Sequence, residues 1–338
     1  MKLELNTADK SNTKVLVTGG AGFIGCALIR KLSEIGAKIH CIDSLTYASS
    51  IDRIKPFISV DKASFSHESI SNKVAMEEVF NTFKPNAILH LAAESHVDRS
   101  IEKSEDFIQT NLVGTSVLLE VYRDYFCRKP EHYARFIHVS TDEVYGSLKS
   151  EGEFSEESPY RPNSPYSASK AGSDHLARAW AMTYNLPITI TNCSNNFGPH
   201  QHDEKLIPTI IRTALSGQVI PIYGTGQNVR DWLYVDDHVD ALITILHAKN
   251  PAQQYCIGGG AEHSNIALCK KVCRILDKLR PRSDGKSYCS QITFVEDRKG
   301  HDFRYAINSS KIYKDLGWKA KRDFNVSIEQ TIKWYLGK

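Results

Sequence analysis

Short apolar runs alternate with helical patterns through the first two hundred residues, and this alternation limits the possible folds more than any other feature. KVLVT (14–18) leads into a helical pattern over about 23–35, and KIHCI (38–42) ends at Asp43. A helical stretch at about 73–83 precedes AILHL (87–91), a longer one covers about 104–126, and RFIHVS (135–140) follows. A helix carrying Tyr166 and Lys170 then leads to PITIT (187–191). Strands that are apolar on both faces and separated by helices predict a parallel sheet covered on both sides. Right-handed crossovers make such a sheet doubly wound, so the expected class is α/β. After about residue 194 the texture changes, with Asn, Gly and Pro punctuating SNNFGPHQH and YGTGQN. A smaller C-terminal substrate-binding α/β domain is expected there, assembled from 194–230 and 257–338. DWLYVDDHVDALITILH (231–247) reads as one more strand and helix, with 231–256 rejoining the first domain (14–193).

Composition excludes several classes of function. The 338 residues are 41% hydrophobic and 24% charged, as in an ordinary globular chain. The net charge of +3 is spread out, with no basic run to fit nucleic acid, which is not an expected partner. The N-terminus is polar and no segment approaches the ~20 apolar residues of a membrane span, so a cytoplasmic protein without membrane attachment is expected. The eight cysteines form no CxxC pairs. Cys269 and Cys273, four residues apart with His263 upstream, could be read as metal ligands; buried reduced thiols on a core-facing helix are the better reading, and no metal is expected.

TGGAGFIG (18–25) follows the first strand and opens the first helix, and it satisfies GxGxxG through Gly20, Gly22 and Gly25. Glycines there allow a tight turn, backbone approach to a pyrophosphate and close helix–strand packing. The helix N-terminus then faces phosphate charge. Asp43 ends the next strand, where a carboxylate accepts hydrogen bonds from adenosine ribose hydroxyls and repels a 2′-phosphate. No Arg or Lys occurs from 43 to 52, so NAD is expected in preference to NADP.

A second constellation follows in STDEVYG (140–146) and YSASK (166–170). A free phenol has a pKa near ~10 and needs a nearby cation to act as a base at neutral pH. Lys170, one helical turn after Tyr166, supplies that cation. Thr141, Asp142 and Glu143 sit at a strand end, where a parallel sheet delivers residues to its ligand crevice. Two carboxyls in different environments can divide the roles of general acid and general base. An isolated acidic dipeptide is more often a solvated loop, but its position beside YxxxK reverses that preference.

TGGAGFIG, LHLAAESHVDRSI, STDEVYG, YSASK, NCSNNFGPHQ, EKLIP, RDWLYVDDH and DRKGHDFRYAIN, in this order, resemble the extended short-chain dehydrogenase/reductases. The resemblance runs from about residue 14 to 336 and is nearest to the nucleotide-sugar 4,6-dehydratases of that family. It implies a Rossmann sheet, NAD as cofactor and a nucleotide-sugar substrate, dTDP-glucose first among them. Carried over residue by residue, it implies Tyr166, Lys170 and Thr141 in oxidation at C4, Glu143 as the base at C5, and Asp142 as the acid that expels the C6 hydroxyl. It implies Gly19, Gly20, Gly22, Phe23, Ile24, Gly25, Asp43, Ser69, Ile70, Ala92, Ala93, Tyr166 and Lys170 at the cofactor. Ser95 and His96 are implied near cofactor and sugar, and Lys205, Leu206 and His301 near the nucleotide. Asn195 and Asn196 follow a strand and suit hydroxyls or a phosphate. The guanidinium forks of Arg230 and Arg298 suit a diphosphate.

Departures from the family pattern occur at ESI (68–70), where GDI is usual, at Phe303 in place of arginine, and at Asn308 in place of aspartate. The helix at about 104–126 and the Tyr166 helix resemble the pair that forms a homodimer interface. A nucleotide-sugar 4-epimerase or a UDP-glucuronate decarboxylase would share much of this pattern, and Asp142 is the residue that discriminates. A catalytically silent NAD-binding module would have lost the tyrosine, the lysine or the acid, and all three are intact.

Overall fold

Val15, Leu16 and Val17 have no exposed surface, so both faces of the first strand are covered. A computed structural model describes residues 13–58, 63–128 and 135–337. In chain order the first body contains β1 (Lys14–Thr18), α1 (Phe23–Glu34), β2 (Lys38–Asp43), β3 (Ala63–His67), α2 (Lys73–Phe83) and β4 (Ala87–His90). It continues with α3 (Val97–Glu102), α4 (Glu105–Phe107), α5 (Thr115–Arg128), β5 (Arg135–Thr141), α6 (Pro165–Tyr184) and β6 (Ile188–Cys193). Then come β7 (Asn195–Phe197), α7 (Leu206–Leu215), β8 (Ile220–Tyr223), β9 (Val229–Tyr234), α8 (Val235–His247) and β10 (Gln254–Ile257). The last elements are β11 (Glu262–Ser264), α9 (Asn265–Leu279), β12 (Ile292–Val295), α10 (Ser310–Leu316) and α11 (Phe324–Leu336).

Seven strands form one parallel sheet in the order β10–β6–β5–β4–β1–β2–β3. Strand order reverses where β1 lies between β2 and β4, and such a reversal opens a crevice at the carboxyl ends of the strands. Leu28, Ile29 and Leu32 of α1 and Leu242 and Ile245 of α8 fill one face. Met76, Phe80, Leu118, Leu119, Tyr122 and Ala177 of α2, α5 and α6 fill the other. Each large aliphatic or aromatic side chain buried this way contributes ~1.5–3 kcal/mol, which outweighs the weak strand propensity of so short a run.

The second body has its own core. Ile207, Ile210 and Ile211 of α7 meet Leu268 and Val272 of α9 and Ile328 of α11. Beneath them β9 pairs with β7 and β11, and β8 pairs with β12. The expected return of 231–247 to the first sheet is altered in one respect: the strand of that run, β9, stays in the three-stranded sheet. Its helix α8 packs on the large sheet, and β10 becomes the seventh strand beside β6. Cys269 and Cys273 are buried free thiols, and no group of residues able to hold a metal occurs among the described residues. No described helix is long and apolar enough to cross a membrane.

The long helix expected over 104–126 runs continuously from α4 into α5, but through a π-helical stretch at Ile108–Gly114. Such widened turns concentrate at functional sites. Here the widening serves Asn111, whose amide donates to the Glu94 carbonyl (3.0 Å) and Ser169 Oγ (2.9 Å), while its oxygen accepts from the Glu94 N–H (2.9 Å). It thereby ties the loop after β4 to α6.

Candidate active site

Two adjoining cavities open at the carboxyl edge of the large sheet. Gly19, Gly22, Phe23, Ile24 and Gly25 line the first. Gly19 has φ +72°, and a Cβ there would lie 2.7 Å from the Ala92 backbone nitrogen, so only glycine fits. A Cβ on Gly25 would collide with the Gly19 carbonyl oxygen. Gly20 does not line the cavity; it lets α1 pack against β2, since a Cβ there would strike Cys41 Sγ. Asp43 accepts the Ala21 N–H at 2.9 Å and the Leu45 N–H at 2.8 Å, which aims its carboxylate across the end of the glycine turn. Ser69, Ile70, Ala92, Ala93, Ser95 and His96 complete the expected wall. Thr46, Tyr47, Glu94 and Thr110 line it as well and were not expected, because nothing in their local sequence distinguishes them from loop residues.

Tyr166 is set by the start of α6. Ser164 and Ser167 form a reciprocal capping box, and Pro165 at the first helical position has no N–H to satisfy. The Tyr166 N–H, which has no partner within the helix, donates to Ser100 Oγ at 3.1 Å. One turn later, the Lys170 ammonium donates to the Val139 carbonyl at 2.9 Å. Burial, followed by the Glu143 charge, pushes the Tyr166 phenol well above its ordinary pKa, with Thr141 pulling it down. The phenol therefore stands above its ordinary range rather than below it, with Lys170 one helical turn away. The pocket's desolvation of the phenolate dominates, and the ammonium is engaged by a backbone oxygen.

Thr141 ends β5, accepts the Glu143 N–H at 3.2 Å and donates to Asp142 Oδ1 at 3.3 Å. Asp142 is 1% exposed, and its Oδ2 has no hydrogen-bond partner. Burial, then the neighbouring Glu143 and Asp231 charges, raise its carboxyl well above the usual range. Burial raises Glu143 too, but Lys205 and Arg230 oppose it. The two adjacent carboxyls are thus held in different electrostatic surroundings.

Glu143 also faces the second cavity, together with Asn195, Lys205, Leu206, Arg230, Arg298 and His301. Arg230 stacks on Tyr305 at 4.3 Å and donates to the Val229 and Asp302 carbonyls at 2.7 and 2.9 Å. Arg298 donates to Asp98 at 2.9 Å, His301 stands 2.7 Å from Asp297, and Lys205 donates to the Ser95 carbonyl at 2.8 Å. Asn195 Oδ1 is buried without a partner, whereas Asn196 is committed inside the fold to the Ser194 carbonyl (2.9 Å) and His238 (2.9 Å). Asn196 touches both cavities but holds the loop in place. Pro221, Tyr223 and Asn265 also line the second cavity and were missed; the exposed Tyr223 in IPIYG was the available signal. Of the departures, the Ser69 hydroxyl pairs with Ser71 at 2.8 Å, while Asn308 lines neither cavity and accepts the Ser310 N–H at 2.8 Å just before α10.

A dinucleotide cradle facing a tyrosine–lysine pair, with a cation-lined cavity beyond it, is the plan of the NAD-dependent enzymes that dehydrate or epimerise nucleotide sugars. The chain belongs to the GDP-mannose 4,6 dehydratase family, whose model matches residues 16–331. It is 50% identical to a probable dTDP-glucose 4,6-dehydratase of Sinorhizobium fredii over 326 residues, covering 96% of this chain and 93% of the relative. A dTDP-glucose 4,6-dehydratase from Streptomyces venezuelae, solved with NAD bound, superposes with a TM-score of 0.88 at 40% identity, covering 96% of this chain and 97% of that one. A UDP-glucose 4-epimerase from Thermotoga maritima, solved with UDP-glucose, gives a TM-score of 0.86 at 27% identity, covering 96% and 99%.

Proposed function

We propose that this chain is an NAD-dependent dTDP-glucose 4,6-dehydratase, a lyase that yields a 4-keto-6-deoxy sugar nucleotide. The observation that carries this reading is the Asp142–Glu143 pair: both carboxyls line the first cavity together with Tyr166, and Glu143 reaches the second as well. An epimerase needs the tyrosine and lysine but no acid to expel a hydroxyl.

The glycine turn and Asp43 fit NAD: the turn has no room for a Cβ at Gly19 or Gly25, and both oxygens of Asp43 are aimed by backbone N–H groups. Held there, NAD would supply the hydride acceptor and donor that oxidation at C4 and reduction at C6 of the sugar require. Tyr166 takes the proton of the 4-hydroxyl, with Thr141 at its oxygen, and Lys170, one helical turn away in the same cavity, serves as the nearby cation. The resulting ketone acidifies the C5 proton, which Glu143 removes as the carboxylate favoured by Lys205 and Arg230. Asp142, whose protonated form is favoured by burial, delivers its proton to the departing C6 hydroxyl. Arg230, Arg298 and Lys205 supply positive charge for the diphosphate of the substrate.

The same reading includes a homodimer. Ile108 and Val113 on the α4–α5 helix and Met182 on α6 are 49%, 40% and 61% exposed.

The test is incubation with dTDP-glucose deuterated at C4. A 4-keto product with deuterium at C6 is expected. Deuterium remaining at C4 with the C6 hydroxyl intact would assign an epimerase instead, and carbon dioxide released from a uronic acid would assign a decarboxylase.

A further inference from the structure

Behind the Tyr166–Lys170 pair lies a buried charge that the reaction above does not use. Asp174 sits one helical turn beyond Lys170 on α6 and is 1% exposed. Among the described residues, no lysine or arginine forms an ion pair with it. Neutral donors surround it instead. His138 Nε2 lies 3.0 Å from Oδ1, while the Tyr160 hydroxyl and the Asn192 amide donate to Oδ2 at 2.8 and 3.0 Å. His138 Nδ1 has no partner, so the ring proton belongs on Nε2, where Asp174 accepts it. Burial works against the carboxylate, while the His138 hydrogen bond and the Lys170 charge favour it.

Lys170 is the mirror case. It is 4% exposed, and burial pushes its ammonium down while Asp174 and then Cys193 push it up. The remaining neighbours carry no charge at neutral pH. His90 from β4 and His138 from β5 are kept neutral by burial, and the Cys193 thiol from β6 is pushed up to about 12. The Tyr160 and Tyr166 phenols, from the segment before α6 and from α6 itself, are raised further by burial. Asp142 and Glu143 are not among the charges that act on Lys170. Asp174 is left as the carboxylate that acts on the buried ammonium.

We propose that Asp174, held ionised by His138, Tyr160 and Asn192, is the counter-charge that keeps Lys170 protonated, and so a positioning residue for the Tyr166–Lys170 pair. The proposal rests on the roles given to that pair above. A buried ammonium without an opposing charge gives up its proton, and Tyr166 would then lose its cation.

The readout is the pre-steady-state rate at which dTDP-glucose reduces bound NAD, a step that does not use Asp142, followed against pH. Asp174→Asn should move the alkaline limb of that rate down by about one pH unit, a roughly tenfold loss at a fixed pH on the limb. NAD affinity should stay within about twofold, and Asp174→Glu should restore the limb. An alkaline limb that does not move overturns the proposal, even if the rate is lower at every pH. A thermal-unfolding cycle with Lys170→Met guards against a variant that folds poorly. Without the Lys170 charge, Asp174 is a lone buried carboxylate, so Asp174→Asn should cost less stability in the Lys170→Met protein than in the wild type. Additive losses overturn the proposal. If the wild type fails to reduce NAD with dTDP-glucose, the functional reading falls, and the unfolding cycle still decides the charge pair.

Discussion

At Asp142, burial and the neighbouring like charges favour the protonated carboxyl and raise its pKa well above the usual range. The folded-state pKa lies above the unfolded one, so this carboxyl's contribution to stability is full below the unfolded pKa and is lost as pH rises toward the folded value. Asp142→Asn removes that titration. Its melting temperature should therefore rise relative to wild type between about pH 5 and about pH 8, as read by scanning calorimetry. A gap that stays constant across that range would mean Asp142 is not raised. The same variant should lose turnover, since an amide cannot protonate a leaving hydroxyl. Tyr166→Phe should keep NAD binding and lower turnover by ~10²–10⁴, checked by steady-state rates at saturating substrate. The motif spacing made Tyr166, Lys170 and the acidic pair legible, because i and i+4 share a helix face. The direction of the phenol's shift was not legible. It depends on how much of the pocket excludes water, which is a property of residues far apart in sequence. Asn196 shows the same limit: an amide after a strand reads as a ligand contact, and only its bonds to Ser194 and His238 reveal where it is used.

Elements with strong periodicity were legible nearly to the residue. The helix expected at 73–83 is α2 (Lys73–Phe83), and the one expected at 23–35 is α1 (Phe23–Glu34). The π-helical stretch was not, since Ile108–Gly114 is too short to set a periodicity of its own, and it is the hydrogen bonds of Asn111 that mark it. The sheet membership of β9 was hidden for a related reason. An apolar strand shows that it is buried, but not which neighbour buries it. The glycine turn lends itself to a direct test at this scale. In Gly25→Ala the new methyl group must displace the Gly19 carbonyl and with it the backbone that meets the cofactor. We expect a loss of ~1–3 kcal/mol in urea unfolding, as for overpacked sites, together with weaker retention of NAD through gel filtration. Unchanged retention would show that the turn adapts.

At the scale of the whole molecule, the exposed Ile108, Val113 and Met182 are expected to be covered by a second copy. Light scattering should give twice the chain mass for wild type, and Ile108→Glu, which places a charge in that contact, should give the chain mass. Wild type at the chain mass would end the dimer reading. The two bodies of one chain are themselves laced together. After β6 the backbone leaves the large sheet for β7, β8 and β9, returns as α8 and β10, and leaves again for β11, α9 and β12. It comes back once more, where Ile312 and Trp318 join the core under α1, before α11 closes the second body. A hinge needs few strands of chain across its axis, and this seam has many. So many crossings should hold the mouth between the cavities to a nearly fixed width, and the two bodies should lose their structure together rather than one at a time.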